Sequence, residues 1–444
     1  MEYLSANSYG LLRNEGYKPR IIERRLFEGL EDFGAVCIEG AKYCGKTWTG
    51  QAIANSELDL MDPAGNFQNL EIALLDPSLA IAGDRPRLID EWQEAPQVWD
   101  AVRNAVDRSG KRSTFILTGS SIPKKKGAKS DEATEPKHTG VGRIEKLRMR
   151  PMTLSESGES NAAVSLSGLF DGEVPSVKAP QIELADMLEI AARGGWPATV
   201  GKPSSRAQRV ARSYVREICE SDMSRVDDTR RDPQKVSRLL HSLARNMEQA
   251  TKNRTIIGDM TETTTESKLS LETVTDYIQA LTRLFIVEEI PAWSPNLRSP
   301  IRINKRPRYH FVDPSLPVAA LRTSAKMLAD DLNLFGFVFE CMCVRDILVY
   351  AQAADAEVYY YRDQAGLEAD AIVESADGRW GGIEIKLGHN KVEEGASSLK
   401  AVARKISDAG GQAPAFLAVV EGLGDYAYKR DDGVLVIPIC TLGV

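Results

Sequence analysis

Short apolar runs separated by polar, helix-compatible segments dominate the chain between residues 35 and 118. Among these runs, "AVCI", "RLID" and "TFILT" are each bounded by turn-forming or charged residues. Short buried strands that alternate with helices are typical of a parallel sheet covered on both faces. The pattern therefore predicts an α/β domain, which we expect to span residues 1–155.

A helical pattern follows, with apolar residues at three- and four-residue spacing over residues 181–246. Leu184, Met187 and Leu188 form the first such set. This spacing puts the apolar side chains on one face of a helix. We expect a helical lid or linker over residues 156–230.

A further helix is predicted from Ser270, which can cap it, through Val274 and Ile278, which share one face. A β-prone run begins at Phe285. Helices followed by a pair of strands predict a winged-helix-like module over residues 231–320.

The last part of the chain, residues 321–444, returns to a mixed α/β pattern. The stretch "GLEADAIVESADGRWGGIEIK" has two apolar-alternating runs on either side of the turn-prone Ser375–Gly378. That arrangement predicts a β-hairpin.

Composition narrows the class of protein. At 444 residues, the chain predicts two to four domains, and the 43% hydrophobic and 27% charged residues are ordinary for a globular protein. The chain has 6 cysteines, no C-x-x-C pair and 4 histidines, so we do not expect a structural zinc site. We expect a reduced, cytoplasmic setting. We expect neither an export signal nor a membrane span. A net charge of −7 means that nucleic-acid binding would need a local basic patch.

Candidate chemistry begins with "GAKYCGKT", which follows an apolar run and precedes a helix-compatible one. In this pattern, glycines let backbone N–H groups surround a phosphate, the lysine reaches the β- and γ-phosphates, and the threonine binds Mg²⁺. The alternative is a glycine-rich turn without a ligand. The predicted nucleotide-binding residues are Gly40, Ala41, Lys42, Tyr43, Cys44, Gly45, Lys46, Thr47 and Trp48.

A second signal is Asp90-Glu91, at the end of the apolar run "RLID". In a parallel sheet these carboxylates lie at the same edge as the glycine-rich loop. Asp90 can then join Thr47 in a Mg²⁺ shell, and Glu91 can orient and polarise a water. The alternative is a pair of helix-capping carboxylates. Together with the loop, the pair predicts ATP hydrolysis, with Lys46 and Glu91 as catalytic residues.

The segments "GAKYCGKT", "LIDEWQEAPQVWDAVRNAVD", "FILTGSS" and "GVGRIEKLRMRPMTLSE" resemble the AAA+ P-loop ATPases of bacteria and archaea that carry a C-terminal domain of unknown function. The resemblance continues to "GGWP", "YHFVDPSL" and "GFVFE", and so covers most of the chain. It implies that Ser120 or Ser121 senses the γ-phosphate and that Arg143 approaches a phosphate, including one on a neighbouring subunit. The alternatives are a helix-capping serine and a surface arginine.

Carboxylates in the C-terminal domain form a third candidate site. Glu340 lies amid apolar residues of a predicted helix, where a lone charge is costly. With Asp370, Glu384 and Lys386 it gives the E…D…E-x-K pattern of restriction-endonuclease-like, PD-(D/E)XK, folds. That fold resemblance implies that Glu340, Asp370 and Glu384 bind Mg²⁺ and that Lys386 serves a reacting phosphate. The alternative is charged alternation on an exposed hairpin, and a nuclease-like fold does not imply cleavage.

A basic cluster lies between the last two domains, formed by Arg298, Arg302, Lys305, Arg306 and Arg308, with Trp293 and Tyr309 nearby. Basic residues neutralise phosphates and aromatic rings stack on bases, so this cluster is a candidate DNA surface. A solvated loop is the alternative. Cys341 and Cys343 are expected to pack in the interior rather than bind metal.

The predicted architecture is thus an α/β, AAA+ P-loop parallel sheet with a helical lid, a winged-helix-like module and a restriction-endonuclease-like domain. The expected function is a nucleotide-gated ATPase that binds ATP and Mg²⁺ and acts on DNA. The rival is a regulatory or adaptor ATPase whose C-terminal domain only binds nucleic acid or protein. A homo-oligomer is compatible with either.

Overall fold

The computed structural model describes residues 10–122, 136–227, 229–261, 270–296, 298–299 and 301–444. The chain divides into two compact units. Unit 1 consists of Met1–Arg150, Asp222–Arg230 and Arg283–Ile286, and unit 2 consists of Pro151–Ser221, Arg231–Thr282 and Val287–Val444. The division predicted from the sequence, with boundaries at residues 155, 230 and 320, stays a prediction.

Unit 1 is built from alternating helices and strands. In chain order these are α1 (Ile22–Phe33), β1 (Ala35–Glu39), α2 (Lys46–Ile53), β2 (Ser56–Asp59), α3 (Gln68–Leu75), α4 (Pro77–Ala80), β3 (Arg87–Asp90), α5 (Gln97–Ser109), β4 (Phe115–Gly119) and β5 (Ile144–Arg148).

The five strands form one sheet in the order β2-β3-β4-β1-β5, and every neighbouring pair is parallel. All residues of β1, β3 and β4 are buried. This explains why their sequences are mostly continuous apolar runs rather than alternations of apolar and polar residues. Because β4 lies between β1 and β3, the loops that follow these three strands meet at one edge of the sheet. The predicted parallel α/β sheet is confirmed.

The core on one face of this sheet is aromatic. Trp92 and Trp99 pack with ring centroids 4.8 Å apart, and Phe115 of β4 belongs to the same buried cluster. Truncation of a buried tryptophan to alanine costs about 3–5 kcal/mol. Ile89 and Trp92, which flank Asp90 and Glu91 in the chain, both belong to this cluster.

The remaining chain contains α6 (Leu154–Ser157), β6 (Val164–Ser165), α7 (Leu166–Phe170), β7 (Val177–Lys178), α8 (Leu184–Arg193), α9 (Ser204–Glu217), α10 (Met223–Arg225, in unit 1), α11 (Pro233–Arg245), α12 (Asn253–Met260), α13 (Leu271–Arg283), β8 (Val287–Ile290), α14 (Ile301–Asn304), β9 (Arg308–Phe311), α15 (Ser315–Ala320), α16 (Ala325–Asp330), α17 (Leu332–Ala353), β10 (Ala356–Arg362), β11 (Glu368–Ser375), β12 (Trp380–Gly388), α18 (Val392–Asp408), β13 (Phe416–Leu423), β14 (Tyr426–Lys429), β15 (Leu435–Pro438) and β16 (Leu442–Gly443). None of the described helices is both long enough and apolar enough to cross a membrane.

A seven-stranded mixed sheet dominates the C-terminal part of unit 2, in the order β10-β11-β12-β13-β15-β14-β7. The strands β10, β11 and β12 form an antiparallel meander, so the predicted hairpin is present. Strand β13 then pairs parallel to β12 after the crossover helix α18. Helix α18 packs Leu399 and Val402 into a buried cluster that also contains Trp293 and Trp380.

The helices α11, α12 and α13 are followed by the antiparallel pair β8 and β9, which aligns Val287 with Phe311 and Ile290 with Arg308. Helices and a strand pair therefore follow one another as predicted. The likeness of this segment to a winged helix stays a prediction.

Candidate functional site

The glycine-rich loop joins β1 to α2 at the carboxyl edge of the unit 1 sheet. Gly45 precedes α2 with a φ of 108°, in the left-handed region that favours glycine. A side chain at Gly40 would collide with the carbonyl oxygen of Met149. The loop therefore has the tight path that lets its N–H groups converge on an anion at the start of a helix.

Lys46 is buried, with 5% of its surface exposed. Its Nζ donates a 3.0 Å hydrogen bond to the carbonyl oxygen of Ala41, within the same loop. A bound triphosphate would compete for this ammonium group, since phosphate oxygens carry full charge. The lysine is thus held inside the loop, in reach of the position that the phosphates would occupy.

The other loop residues divide into supporting and exposed positions. Cys44 and Ala41 are buried, whereas Tyr43 is 66% and Trp48 is 48% exposed. Lys42 forms a 2.6 Å ion pair with the buried Asp222. Exposed rings beside a phosphate loop can pack on a nucleotide base or ribose, while Lys42 ties the loop to the second segment of unit 1.

The sequence interpretation missed Arg20, which braces the loop from outside it. Its guanidinium donates to the carbonyl oxygen of Cys44 at 2.8 Å and to that of Arg150 at 2.9 Å. Arg20 is buried and precedes α1. No local pattern marks it, because its partners are backbone atoms far along the chain.

Thr47 and Asp90 meet at the position where a Mg²⁺ ion would bind. The hydroxyl of Thr47 lies 3.1 Å from Oδ1 and 3.0 Å from Oδ2 of Asp90. Thr118, on β4, also donates to Oδ1 of Asp90. Burial raises the pKa of Asp90 to about 6, and the charge of Glu91 adds to this. A hydroxyl and a carboxylate are oxygen ligands of the kind that Mg²⁺ prefers, so these residues fit the ion.

Glu91 has a φ of 56°, in the left-handed region that few residues other than glycine adopt. Its Oε2 accepts a 2.8 Å hydrogen bond from the hydroxyl of Ser120 and another from the side-chain amide of Gln93. Its backbone N–H donates to Thr118 Oγ1 at 3.2 Å. Strain of this kind persists where the surroundings impose it and is frequent at functional sites. The two strand ends therefore fix the carboxylate at the sheet edge.

The structure does not bring Arg143 to this site. Arg143 immediately precedes β5, and its carbonyl oxygen accepts from the N–H of Ala35, at the opposite end of β1 from the loop. Five residues of strand separate these ends, about 16 Å at 3.3 Å per residue. Its guanidinium pairs with Asp107 at 2.5 Å. The structure therefore does not place Arg143 beside the glycine-rich loop of its own chain, and its predicted role on a phosphate stays a prediction.

The carboxylates of the C-terminal domain also converge. Glu340 lies in α17, Asp370 in β11, and Glu384 and Lys386 in β12. The Nζ of Lys386 lies 2.6 Å from Glu384 Oε2 and 3.9 Å from Asp370 Oδ2. Asp370 Oδ2 also accepts the backbone N–H of Ile385 at 2.8 Å. The predicted residues thus form one cluster within unit 2.

Burial and close negative charges shift the pKa values of this cluster. Burial raises the pKa of Glu340 well above its usual range, and the neighbouring Asp370 raises it further. Burial and Asp370 also raise the pKa of Glu384 to about 8. The same carboxylates, against the opposing effect of burial, raise the pKa of Lys386 to about 12. Carboxylates that resist ionisation because they are buried, and secondly because they lie close to one another, are stabilised in their ionised form by a nearby cation.

Arg308 is a member of this cluster that sequence reasoning assigned elsewhere. Its Nη1 donates to Glu340 Oε1 at 2.9 Å and to the carbonyl oxygen of Asp370 at 3.2 Å. Only 4% of its surface is exposed. The alternation in "RYHF" groups Arg308 with His310, opposite the apolar Tyr309 and Phe311, so no local pattern marks Arg308 as buried.

Other residues of the predicted basic cluster are also engaged within the chain. Arg302 makes two 2.8 Å bonds to the carboxylate of Glu374, and Lys305 donates to the carbonyl oxygen of Arg362. Trp293 is 2% exposed and packs on Trp380. The prediction that Trp293 stacks on bases is therefore wrong, since the ring lies in the core.

Comparison with known families identifies the P-loop part of the chain. Residues 32–158 match the sequence model of a family described as AAA domain. Residues 184–327 and 335–442 match two domains of unknown function, DUF8612 and DUF4143. This match supports an AAA-type P-loop ATPase core over residues 32–158, as the sequence resemblance predicted. The restriction-endonuclease-like assignment of the last domain stays a prediction.

Two curated relatives are the uncharacterized proteins Rv2008c of Mycobacterium tuberculosis and Mb2031c of Mycobacterium bovis. Each is 25% identical over 378 residues, which cover 82% of this chain and 74% of the relative. Among solved structures, the Walker-type ATPase PABY2304 of Pyrococcus abyssi matches with a TM-score of 0.43 and 15% identity, covering 70% of this chain and 97% of that one. The curated names state no activity, so a function has to be argued from the sites.

Proposed function

We propose that the chain is an ATPase that couples nucleotide hydrolysis in unit 1 to a DNA-directed site in unit 2. One observation carries the first half of this proposal. Lys46, Thr47, Asp90, Glu91 and Ser120, from three strand ends and a loop, lie at one edge of a parallel sheet. These are the side-chain types that phosphoryl transfer to water requires.

The proposed roles follow from the geometry of each side chain. Lys46 binds the β- and γ-phosphates and stabilises the charge that develops between them. Thr47 and Asp90 would hold Mg²⁺, which supplies charge neutralisation on the phosphate oxygens. Glu91 orients the attacking water and accepts its proton, and Ser120 holds the Glu91 carboxylate in place.

Nucleotide binding has to rearrange two contacts, which supports a switch. The bond from Lys46 to the carbonyl oxygen of Ala41 and the bond from Thr47 to Asp90 both use groups that the ligand needs. Lys42 links the same loop to Asp222. A rearrangement of the loop would therefore act, through the Lys42–Asp222 ion pair, on the segment Asp222–Arg230 of unit 1.

For unit 2, we propose a restriction-endonuclease-like fold with a divalent-cation site. The element order α17-β10-β11-β12-α18-β13 supports it, with Glu340 on the first helix and the remaining cluster on the middle strands. Asp370 and Glu384 would bind the cation, and Lys386 would stabilise charge on a DNA phosphate. The pKa of Glu384 is raised to about 8, so ionising this carboxyl group is unfavourable. A bound cation would reduce that cost, which supports the proposal.

A second candidate is an ATPase whose C-terminal domain only binds its target. One contact favours it: Arg308 pairs with Glu340 at 2.9 Å, so a guanidinium supplies part of the positive charge that a metal would otherwise bring. In that case the cluster stabilises the fold and no phosphodiester is cleaved. Cleavage with Mn²⁺ separates the two candidates.

The DNA contact itself is proposed for an exposed face of α9 in unit 2. Four arginines on this helix are exposed, and among the described residues the structure gives them no ion-pair partner: Arg206, Arg209, Arg212 and Arg216. Their spacing places them within roughly a third of the helix circumference at 100° per residue. Free, clustered arginines on an acidic chain are suited to neutralising phosphates.

The direct test is the steady-state ATPase rate of the full chain with and without duplex DNA. A rate that rises with DNA supports a DNA-directed ATPase. An unchanged rate, with no binding of the duplex at low salt, would refute the DNA part and leave an ATPase with another target.

A further inference from the structure

A second cluster of potential metal ligands lies in unit 2, outside both sites described above. Among the residues that the structure describes, Glu248, His310 and Cys341 each offer one ligand atom, and these atoms all lie within 4.8 Å of one another. Glu248 follows α11, His310 lies in β9 and Cys341 lies in α17. Three elements far apart in the chain therefore converge on one point.

All three side chains are inaccessible to solvent. The side chains of Glu248 and His310 are 0% exposed, as is residue Cys341. Glu248 also has a φ of 56°, in the left-handed region. A glutamate held in a disfavoured backbone conformation, with its carboxylate pointing into the interior, needs a compensating interaction.

The contacts within the cluster leave polar atoms without partners. Glu248 Oε1 lies 2.6 Å from His310 Nδ1, and the Cys341 thiol donates a weak 3.4 Å hydrogen bond to the carbonyl oxygen of Phe311. Within the described part of the chain, Glu248 Oε2 and His310 Nε2 are buried with no hydrogen-bond partner. A buried polar atom without a hydrogen-bond partner destabilises the fold. The Glu248–His310 pair alone does not satisfy its own groups.

We propose that Glu248, His310 and Cys341 form a buried structural site for a divalent transition metal of the Zn²⁺ class. One carboxylate, one imidazole and one thiolate are the oxygen, nitrogen and sulfur ligands that such ions bind. A carboxylate and a thiolate together neutralise a divalent charge, so the site would carry no net charge in the interior. Ligand atoms around zinc lie about 3–4 Å apart, so ligand atoms that already lie within 4.8 Å of one another need only small side-chain movements to bind one ion.

This site differs in chemistry and purpose from the neighbouring carboxylate cluster. Asp370 and Glu384 offer only oxygen, which suits Mg²⁺ or Mn²⁺, whereas Cys341 adds sulfur, which those ions avoid. Three protein ligands leave a fourth position on a tetrahedral metal, but because all three ligands are buried, a substrate would not reach it. A metal here would instead join α17, β9 and the chain after α11 into one rigid element of unit 2.

The test uses the full chain produced in medium with Co²⁺ replacing Zn²⁺, since cobalt bound to a thiolate gives a charge-transfer absorption band. The proposal predicts about one metal ion per chain after purification and this band in the wild type. Cys341→Ser should abolish the band and weaken the metal affinity by on the order of 100-fold. Cys343→Ser is the matched control, because Cys343 is equally buried on the same helix, and it should keep both.

Two further variants keep the outcome decisive. Asp370→Ala should retain the cobalt–thiolate band, because the carboxylate cluster is a separate site, and His310→Asn should lose it. Circular dichroism establishes that each variant is folded. A wild-type chain that carries no stoichiometric metal and shows no band would overturn the proposal whatever the variants do, as would equal losses in Cys341→Ser and Cys343→Ser.

Discussion

The hydroxyl of Ser120 donates a 2.8 Å hydrogen bond to Oε2 of Glu91. The two residues follow adjacent parallel strands, β4 and β3, so the contact joins two ends of the same sheet edge. In the proposed mechanism this hydrogen bond holds the Glu91 carboxylate in position beside the attacking water.

A first prediction follows for Ser120. Ser120→Ala should lower kcat by about 10–100-fold with little change in KM, because a hydrogen bond to a charged group is worth about 1.5–3 kcal/mol. Ser121→Ala is the control, since this neighbouring hydroxyl makes no contact with Glu91 among the described contacts. Steady-state kinetics of both variants measure the difference. Equal effects of the two substitutions would contradict a positioning role for Ser120.

A second prediction concerns pH and Asp90. Burial raises the pKa of this carboxyl to about 6, against about 3.9 in an unfolded chain. Between these values the folded protein holds a proton that the unfolded chain has lost. The free energy of unfolding therefore falls as the pH rises from about 4 to about 6, by about 3 kcal/mol at most, and stays lowered at higher pH. Asp90→Asn should raise the melting temperature by several degrees at pH 8 in chelator and by almost nothing near pH 4.

Melting curves at both pH values measure this effect. Asp84→Asn, at an exposed position of the same unit, is the control and should show no such pH dependence. The same Asp90→Asn variant should lose Mg²⁺-dependent ATPase activity. A stabilisation that is equal at pH 4 and pH 8 would show that the buried charge is not the cause.

A third prediction addresses the carboxylate cluster. In an Asp90→Asn background, which removes the metal site of unit 1, Mn²⁺ at a hundredfold excess over its Kd should stabilise the chain by about 2.7 kcal/mol. Asp370→Ala should abolish that gain, whereas Glu357→Ala, on the exposed side of β10, should not. Lys386→Ala should keep metal stabilisation and eliminate any DNA cleavage. No stabilisation by Mn²⁺ in the parent chain would leave the binding-only candidate.

A fourth prediction concerns the arginine face of α9. Replacing Arg209 and Arg212 by serine should weaken duplex DNA binding and reduce the salt dependence of log K by about 2 units of slope, close to 0.9 for each phosphate contact. The matched control removes two exposed arginines elsewhere, Arg108 and Arg404. Fluorescence anisotropy over a salt series gives both slopes. Indistinguishable slopes in the two double variants would exclude α9 as the DNA-binding face.

The parts of the fold and site that sequence predicts are those encoded locally. The loop from Gly40 to Thr47 needs glycine, lysine and threonine at fixed spacing, and Asp90 and Glu91 end a buried run. In a parallel sheet, strand ends meet at one edge, so these segments could be brought together without knowledge of the strand order.

Contacts that depend on tertiary pairing could not be predicted in this way. In the sequence, Arg308 looks like part of a basic surface. It is buried because it pairs with Glu340, which lies 32 residues away along the chain. Arg143 precedes β5 rather than following it, so it lies at the edge of the sheet opposite the glycine-rich loop. Similarly, nothing in the C-x-C pattern of Cys341 and Cys343 indicates that His310 lies beside Cys341.

The central claim is ATP hydrolysis by Glu91, and it is tested most directly by the ATPase rate of Glu91→Gln beside its affinity for ATP. The amide cannot accept a proton from water, so kcat should fall by roughly 10²–10⁴-fold while the Kd for ATP stays within about threefold of the wild type. Lys46→Ala, which removes charge from the bound ground state, should instead lose ATP binding. Undiminished turnover in Glu91→Gln, with ATP bound normally, would contradict the account.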